Sequence, residues 1–484
     1  IGYNKCINQW LILTDTERRQ TGVYRTRQYH IRKGHRMFSY CADICKKSTN
    51  LYNRANYILR QYATAVRDFE NLKPLTANQM EVYKDIKAVT EGTKYEPKGK
   101  WLTYGTMDFY LKQTKDINYY DMYSQANQQI LKLLLRNYKA FFNSLKVYKA
   151  NENVFTGRPK MPGYKTEGSC TTAILTNQIC KIADGRYLKV PGYKYRLNLG
   201  NLDEGTTLKE VRIKHTADVF IIDVELETVD HATVYKAYPE LSDEKLMEQL
   251  KSCRDSSEYR VIGIDPGLNN FCAVTNNFGD KPFLVNGRTL KSVNNYYNKR
   301  LARLKSQAEL CNNRECTRKI GRLTYKRNCM IKDSLHKISR YIADYAKDNN
   351  ADIVILGHNV FQKQKINTGA ANNQAIVQIP HLVFAGMLQY KLEEYGIRLV
   401  LTEESYTSKA DFKAGDKIPV FSVDSTGEHV FSGRRIKRGL YRYGDGSTGN
   451  ADINGAANII RKVFPNVKGW DKGIVDTPYA VTVA

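Results

Sequence analysis

At 484 residues the chain exceeds the roughly 250–300 residues at which one hydrophobic core stops growing, so two or three domains are expected. A formal net charge of +26 is too large for an ordinary housekeeping enzyme and favours a polyanion, and 34 tyrosines among 75 Lys and Arg add stacking surfaces for bases; nucleic acid is the expected partner. The ten cysteines form no C-x-x-C pair, nothing approaches roughly 18 consecutive apolar residues and no signal-peptide core opens the chain, so a cytoplasmic protein with reduced thiols and no membrane partner is expected, with native residues preceding Ile1.

The stretch YRTRQYHI (Tyr24–Ile31) alternates as a strand does. From about Met37, FSYCADICKKSTNLYNRANYILRQYATAV carries apolar residues at helical spacing, and a second helical stretch, DMYSQANQQILKLLLRNYKAFFNSLKVYK, ends near Lys149. NENVFTGRPKMPGYK is a loop punctuated by Gly and Pro. Short strands follow between about Thr171 and Thr228 (TTAILTN, YRLNL, VRIKHT, DVFIIDVELE), and the economical reading joins Tyr24–Ile31 to them in one β-barrel with the helices inserted. SDEKLMEQLKSCRDSSE is polar and serves as a boundary. From Tyr259 the order is three strands (YRVIGID, NFCAVTNN, KPFLVNG), two long helices, strand ADIVILG, helix PHLVFAGMLQYKLEEYG, strand IRLVLTE, a loop and a terminal helix. That order describes a mixed α/β sheet of the RNase H type, which gathers catalytic groups at the ends of its central strands.

Asp265 ends the first of those strands in VIGIDPG, where Asp-Pro-Gly is otherwise a common turn. Asp452 opens the terminal helix in NADINGAANI, where an N-cap is the competing explanation. Gly455, Ala456 and Ala457 let that helix press against a sheet edge and bring the two carboxylates together. Paired carboxylates repel unless a divalent cation lies between them, and two Mg²⁺ (or Mn²⁺) ions suit phosphodiester hydrolysis.

VIGIDPGLNNFCAVTNN, YYNKRLARLKS, MIKDSLHKISRYIADYA, EESYTSK and DINGAANI resemble the RuvC domain of TnpB, the transposon-encoded ancestor of compact type V CRISPR effectors. GRPKMPGYK is similar to the segment that precedes that domain, so the motifs span roughly residues 155–465. The resemblance implies a multidomain α+β protein. Residues 1–36 and 151–256 would form a β-barrel wedge domain, 37–150 an inserted helical recognition domain, 257–465 the RuvC nuclease domain and 466–484 a C-terminal tail. It further implies an RNA-guided, metal-dependent endonuclease that pairs a guide RNA with target double-stranded DNA and reads a short flanking duplex motif. A nuclease-inactive RNA-guided binder is the alternative, and an autonomous junction or RNA nuclease would leave the first 255 residues without a role. The kind of guide and the oligomeric state stay open, with a monomer favoured.

The sequence departs from the family twice. Most members carry Glu where Gly357 ends ADIVILG, and most carry a four-cysteine zinc ribbon, whereas no cysteine follows Cys329 here; residues 408–450 are expected to form a degenerate target-binding insert without zinc. The strand IRLVLTEE should lie beside ADIVILG, so Glu404 or Glu403 is the candidate replacement; period-two alternation sends them to opposite faces, and Glu404 is preferred. The expected catalytic and metal-holding set is therefore Asp265, Glu404 (with Glu403 the alternative) and Asp452. His358 is read as structural or substrate-contacting. Between Lys299 and Arg340 there are 13 Lys or Arg against three acids, and five cations lie between Arg434 and Arg442. Arg158, Lys160, Lys299, Arg300, Arg303, Arg434, Arg435, Lys437 and Arg438 are the expected nucleic-acid contacts.

Overall fold

The computed structural model describes residues 23–152, 155–166, 169–228, 243–252, 259–312, 317–358, 378–420, 429–465 and 477–483. They fall into two compact units, one within Gly22–Asp230 and the other within His231–Ala484, each mixing helices and strands.

The first unit opens with β1 (Val23–Ile31) and continues into α1 (Phe38–Glu70). Cys41, Ile44, Cys45, Ser48, Leu51, Tyr52, Ala55, Ile58, Leu59 and Tyr62 recur three or four residues apart in α1 and are all buried, which is the physical reason the segment is helical and stays docked. Then come α2 (Ala77–Thr90), α3 (Tyr104–Gln113), α4 (Ile117–Tyr120) and α5 (Ser124–Ala150). The sequence reading recognised α1 and α5 but neither α2 nor α3. A signal for α2 was present in Thr76-x-x-Gln79, which forms a capping box: Thr76 N donates to Gln79 Oε1 at 2.7 Å and Gln79 N to Thr76 Oγ1 at 3.3 Å.

Six strands complete this unit: β2 (Ala173–Thr176), β3 (Lys181–Ala183), β4 (Tyr187–Lys189), β5 (Leu197–Asn198), β6 (Thr207–Thr216) and β7 (Val219–Thr228). The expected joining of Tyr24–Ile31 to the later strands is present, since β1 pairs antiparallel with β7 from Val23↔Thr228 to Ile31↔Phe220. The expected single barrel is not. Among the described residues there is an antiparallel sheet of order β1-β7-β6-β2 and a separate sheet β3-β4-β5. The strands of the second sheet are only two or three residues long, interrupted by left-handed turns at Gly185 and Gly192, and are too short to extend the first. The Gly-Pro loop is tied to α1, with Arg60 donating to Pro162 O at 2.5 Å and Asn53 to Lys165 O at 2.9 Å.

The second unit contains α6 (Asp243–Ser252), β8 (Val261–Pro266), β9 (Asn270–Asn276), β10 (Phe283–Asn286), α7 (Arg288–Asn312), α8 (Arg318–Asp348) and β11 (Ile353–Gly357). These are followed by α9 (His381–Glu393), β12 (Arg398–Thr402), β13 (Arg434–Lys437), β14 (Leu440–Arg442), β15 (Thr448–Asn450), α10 (Ala451–Val463) and β16 (Tyr479–Val481). The sheet order is β12-β11-β8-β9-β10-β16; β8, β9 and β10 run antiparallel in series, while β11 and β12 run parallel to β8. Two boundaries move. The segment read as a polar boundary is helix α6, whose Leu246 and Leu250 are buried with Val261, Ile353 and Ile355, so it packs in this unit rather than with residues 151–256. Residues 477–483, read as tail, supply β16, which pairs parallel with β10.

Alternate residues of β11 enter different cores, so both faces of the strand are covered. Val354 and Leu356 pack with Leu335, Ile338 and Ile342 of α8, whereas Ile353 and Ile355 pack with Ile459 and Ile460 of α10. The approach of α10 to β8 is close because Gly263 has no side chain: a Cβ there would lie 2.5 Å from Ile460 Cγ1 and 2.6 Å from Ala456 O. Backbone cannot yield as a side chain does, so Gly263→Ala should cost about 1–3 kcal/mol. Urea unfolding should show a lower midpoint at unchanged slope. No helix among the described residues is long and apolar enough to cross a membrane.

Candidate carboxylate site

Asp265 lies at the C-terminal end of β8, opposite Ala273 of β9 and half-buried. Its carboxylate presses on the first turns of α10, where a Cβ on Gly455 would fall 2.5 Å from Asp265 Oδ2. The small residues Gly455, Ala456 and Ala457 allow the close approach expected of them, but against the central strands β8 and β9 rather than a sheet edge, and the last two are fully buried against Ala273.

Asp452 is in the first turn of α10 and is not its N-cap. Asn450 takes that role, its side-chain oxygen accepting from Asp452 N at 3.0 Å and Ile453 N at 3.1 Å. The Asp452 carboxylate is therefore available to other groups. Asn270 donates to its Oδ2 at 2.8 Å and Arg435 to its Oδ1 at 3.1 Å. Neither contact is signalled in the sequence, because Asn270 lies 182 residues away and Arg435 reads only as one cation in a basic run.

The strands β11 and β12 are neighbours as expected, in a register that sets Gly357 opposite Thr402, and His358 N continues the pairing by donating to Thr402 O at 2.7 Å. Glu403 and Glu404, just past the strand, diverge. Glu403 accepts from Ser405 N at 2.8 Å and forms an ion pair with Lys462, whose side chain is only 5% exposed. Burial depresses that ammonium to about 8. Glu404 turns to the other side, and a Cβ on Gly357 would lie 3.3 Å from its Oε2. Glycine at 357 leaves room for the carboxylate supplied by the adjacent strand.

Asp265, Glu404 and Asp452 form one electrostatic cluster. Burial, then the charges of Glu404 and Asp452, push the Asp265 carboxyl well above the usual carboxylate range, while Arg435 pulls it in the opposite direction. The net excess of negative charge is what a divalent cation would relieve, and three carboxylates are the hard oxygen donors that Mg²⁺ or Mn²⁺ prefers. Among the described residues, no group of three or more His, Cys, Asp or Glu side chains is already arranged to hold a metal ion. Both oxygens of Asp452 are engaged by Asn270 and Arg435.

The insert between β12 and α10 is a small lobe built on β13-β14-β15. Two carboxylates brace it through backbone amides. Asp411 accepts from Ala414 N at 3.0 Å and Gly444 N at 2.6 Å, and Asp416 from the backbone N of Asp411 and of Ser432, both at 2.9 Å. Tyr441 and Tyr443 fill its interior, and Tyr441 donates to Lys409 O at 2.7 Å. Asn454 and Asn458 of α10 fasten the loop before it by donating to Ala410 O at 2.8 Å and 2.7 Å. The remaining predicted contacts, Arg158, Lys160, Lys299, Arg300, Arg303, Arg434, Arg435, Lys437 and Arg438, are all exposed; Arg435 alone among them also reaches the carboxylate cluster.

Two segments of the second unit match known families. Residues 245–361 match the family OrfB_IS605, a probable transposase, and residues 382–459 match the Cas12f1-like TNB domain. No curated protein matches the chain. Among solved structures, a Cas12f1–sgRNA–target DNA complex is 13% identical, with 87% of this chain and 82% of that one covered at a TM-score of 0.42. C2c1 of Alicyclobacillus acidoterrestris with single-guide RNA is 10% identical, with 89% and 70% covered at 0.36. These likenesses are loose, and the two segment matches say what residues 245–361 and 382–459 are similar to.

Proposed function

We propose that this chain, TnpB-like over its C-terminal half, is an RNA-guided DNA endonuclease with a single cutting site made of Asp265, Glu404 and Asp452. The observation that carries the reading is the placement of Glu404 beside the missing side chain of Gly357, which returns a third carboxylate to a site whose usual donor is absent. The strand order, with β8 to β12 arranged as 3-2-1-4-5 when numbered from one, supports reading the sheet as RNase H-like and RuvC-type.

Asp265, Glu404 and Asp452 would hold Mg²⁺ or Mn²⁺, which when bound supplies Lewis acidity and an activated water for phosphodiester hydrolysis. The chain's own part is alignment. The end of β8 and Gly455 fix Asp265, the Asn450 cap fixes the helix turn bearing Asp452, and Asn270 orients its carboxylate. Affinity comes from elsewhere: the exposed cations of α7 and of the β13-β14 hairpin suit phosphates of a guide–target heteroduplex, and Arg158 and Lys160 suit a duplex flanking it. In this reading residues 37–150 form the recognition domain and the strands around them the wedge. The 408–450 lobe is braced by Asp411 and Asp416 where relatives use zinc. One observation favours the nuclease-inactive alternative, namely that Arg435 already neutralises Asp452.

Purification with co-expressed flanking RNA tests the proposal. The protein should carry a discrete RNA, bind matching DNA with an affinity that falls steeply with salt, and cut it in Mg²⁺ or Mn²⁺. Equal DNA binding by RNA-free protein would reject the guide, and tight guided binding without cutting in either metal would leave the inactive binder.

A further inference from the structure

Arg435 stands where the carboxylate cluster needs positive charge. Its Nη2 is 3.1 Å from Asp452 Oδ1, while Asn270 holds the other oxygen, so the guanidinium covers the one Asp452 oxygen that Asn270 leaves open. The residue comes from an exposed hairpin rather than from the sheet or from α10. Beside it Arg434, Lys437 and Arg438 face solvent, and the β13–β14 register shifts between Arg435 and Lys437, a bulge of the sort that re-aims side chains. Arg435 is therefore the member of a phosphate-binding surface that reaches back into the site.

The ion pair is also easily exchanged. The Arg435 side chain is 44% exposed and that of Asp452 29%, and pairs this open to water are weak. Guanidinium binds phosphate as readily as carboxylate, with the same planar fork. A fixed cation on Asp452 and a divalent ion at the same carboxylates would repel, so each weakens the binding of the other.

We infer that Arg435 is a positioning residue shared between Asp452 and a substrate phosphate: without a strand at the site it occupies Asp452 and opposes metal binding, and an arriving phosphate draws it away and frees the carboxylate. The inference rests on the nuclease reading of the site. It couples formation of the metal site to strand arrival, which would limit hydrolysis by protein that has no target.

The test is Mn²⁺ binding, measured by electron paramagnetic resonance of the free ion, on the full chain stripped of nucleic acid. Binding lost in Asp452→Asn defines the site. Arg435→Ala and Arg435→Gln should bind Mn²⁺ there about two- to fivefold more tightly than wild type, and Arg435→Lys, which keeps the charge, should stay near wild type. A short oligothymidylate should tighten site-specific Mn²⁺ binding in wild type, with no gain in Arg435→Ala. Equal or weaker Mn²⁺ binding by both neutral variants, with native unfolding midpoints, overturns the inference while leaving the carboxylate site intact. If wild type and Arg435→Ala bind no more Mn²⁺ than Asp452→Asn, the metal-site reading falls and takes this inference with it.

Discussion

Asp265→Asn, Glu404→Gln and Asp452→Asn should each lower the single-turnover rate on guide-matched DNA by at least about 10²–10³-fold, while Glu403→Gln cuts at close to the wild-type rate. Guided binding should persist in all four, because pairing and backbone cations supply affinity. The contrast between adjacent glutamates is the informative part. Glu404 raises the Asp265 carboxyl and lies beside Gly357, whereas Glu403 is spent on Lys462. Glu403→Gln should differ from wild type in stability rather than in cutting. It leaves the buried ammonium of Lys462 without its carboxylate, and that ammonium is already depressed to about 8 by burial. With a folded pKa below the unfolded one, the native state binds fewer protons above about 8, so stability should rise as pH passes through that value. The melting temperature of Glu403→Gln should therefore be low at pH 7 and recover towards pH 9.5. A Glu403→Gln protein as dead as Glu404→Gln at wild-type stability would show that the wrong carboxylate has been chosen.

The parts of this site that local pattern governs were legible in the sequence. Asp265 follows the apolar run VIGI, which opens a series of strand-like segments, and Asp452 precedes the small residues that allow close helix packing. The adjacency of β11 and β12 follows from alternating strands and helices. What the sequence left open depends on partners far along the chain. The ion pair that engages Glu403 comes from a lysine 59 residues away, and the Asn270 that holds Asp452 lies 182 residues away; the Asn450 cap, by contrast, is local and stood two residues before Asp452. β16 was invisible because three short residues acquire strand character only by pairing with β10, nearly the whole length of the unit earlier. Helices α2 and α3 were missed for a related reason: short helices carry few periodic positions, and tertiary packing holds them.

Returning the carboxylate to position 357 should rescue Glu404→Gln only when Ile459 is shortened as well. Neighbouring strands lie about 4.8 Å apart, so a glutamate on β11 can reach the cluster that Glu404 serves from the end of β12. The obstacle is steric, since a Cβ on Gly357 would lie 2.6 Å from Cδ1 of the fully buried Ile459. Ile459→Val removes that methyl at a cost of about 0.5–1.5 kcal/mol, which is less than overpacking the junction of β11 and α10. The expected order of single-turnover rates is Glu404→Gln at background, Gly357→Glu with Glu404→Gln slightly above it, and the combination of Gly357→Glu, Ile459→Val and Glu404→Gln well above both. Gly357→Glu in the presence of native Glu404 should instead impair cutting, because the new side chain starts 3.3 Å from the Glu404 carboxylate oxygen and would crowd a second negative charge into its place. A triple variant that folds, binds guided DNA and stays as inactive as Glu404→Gln would mean that positions 357 and 404 do not converge on the same metal, and that the glycine and the glutamate are independent changes rather than one carboxylate moved by a strand.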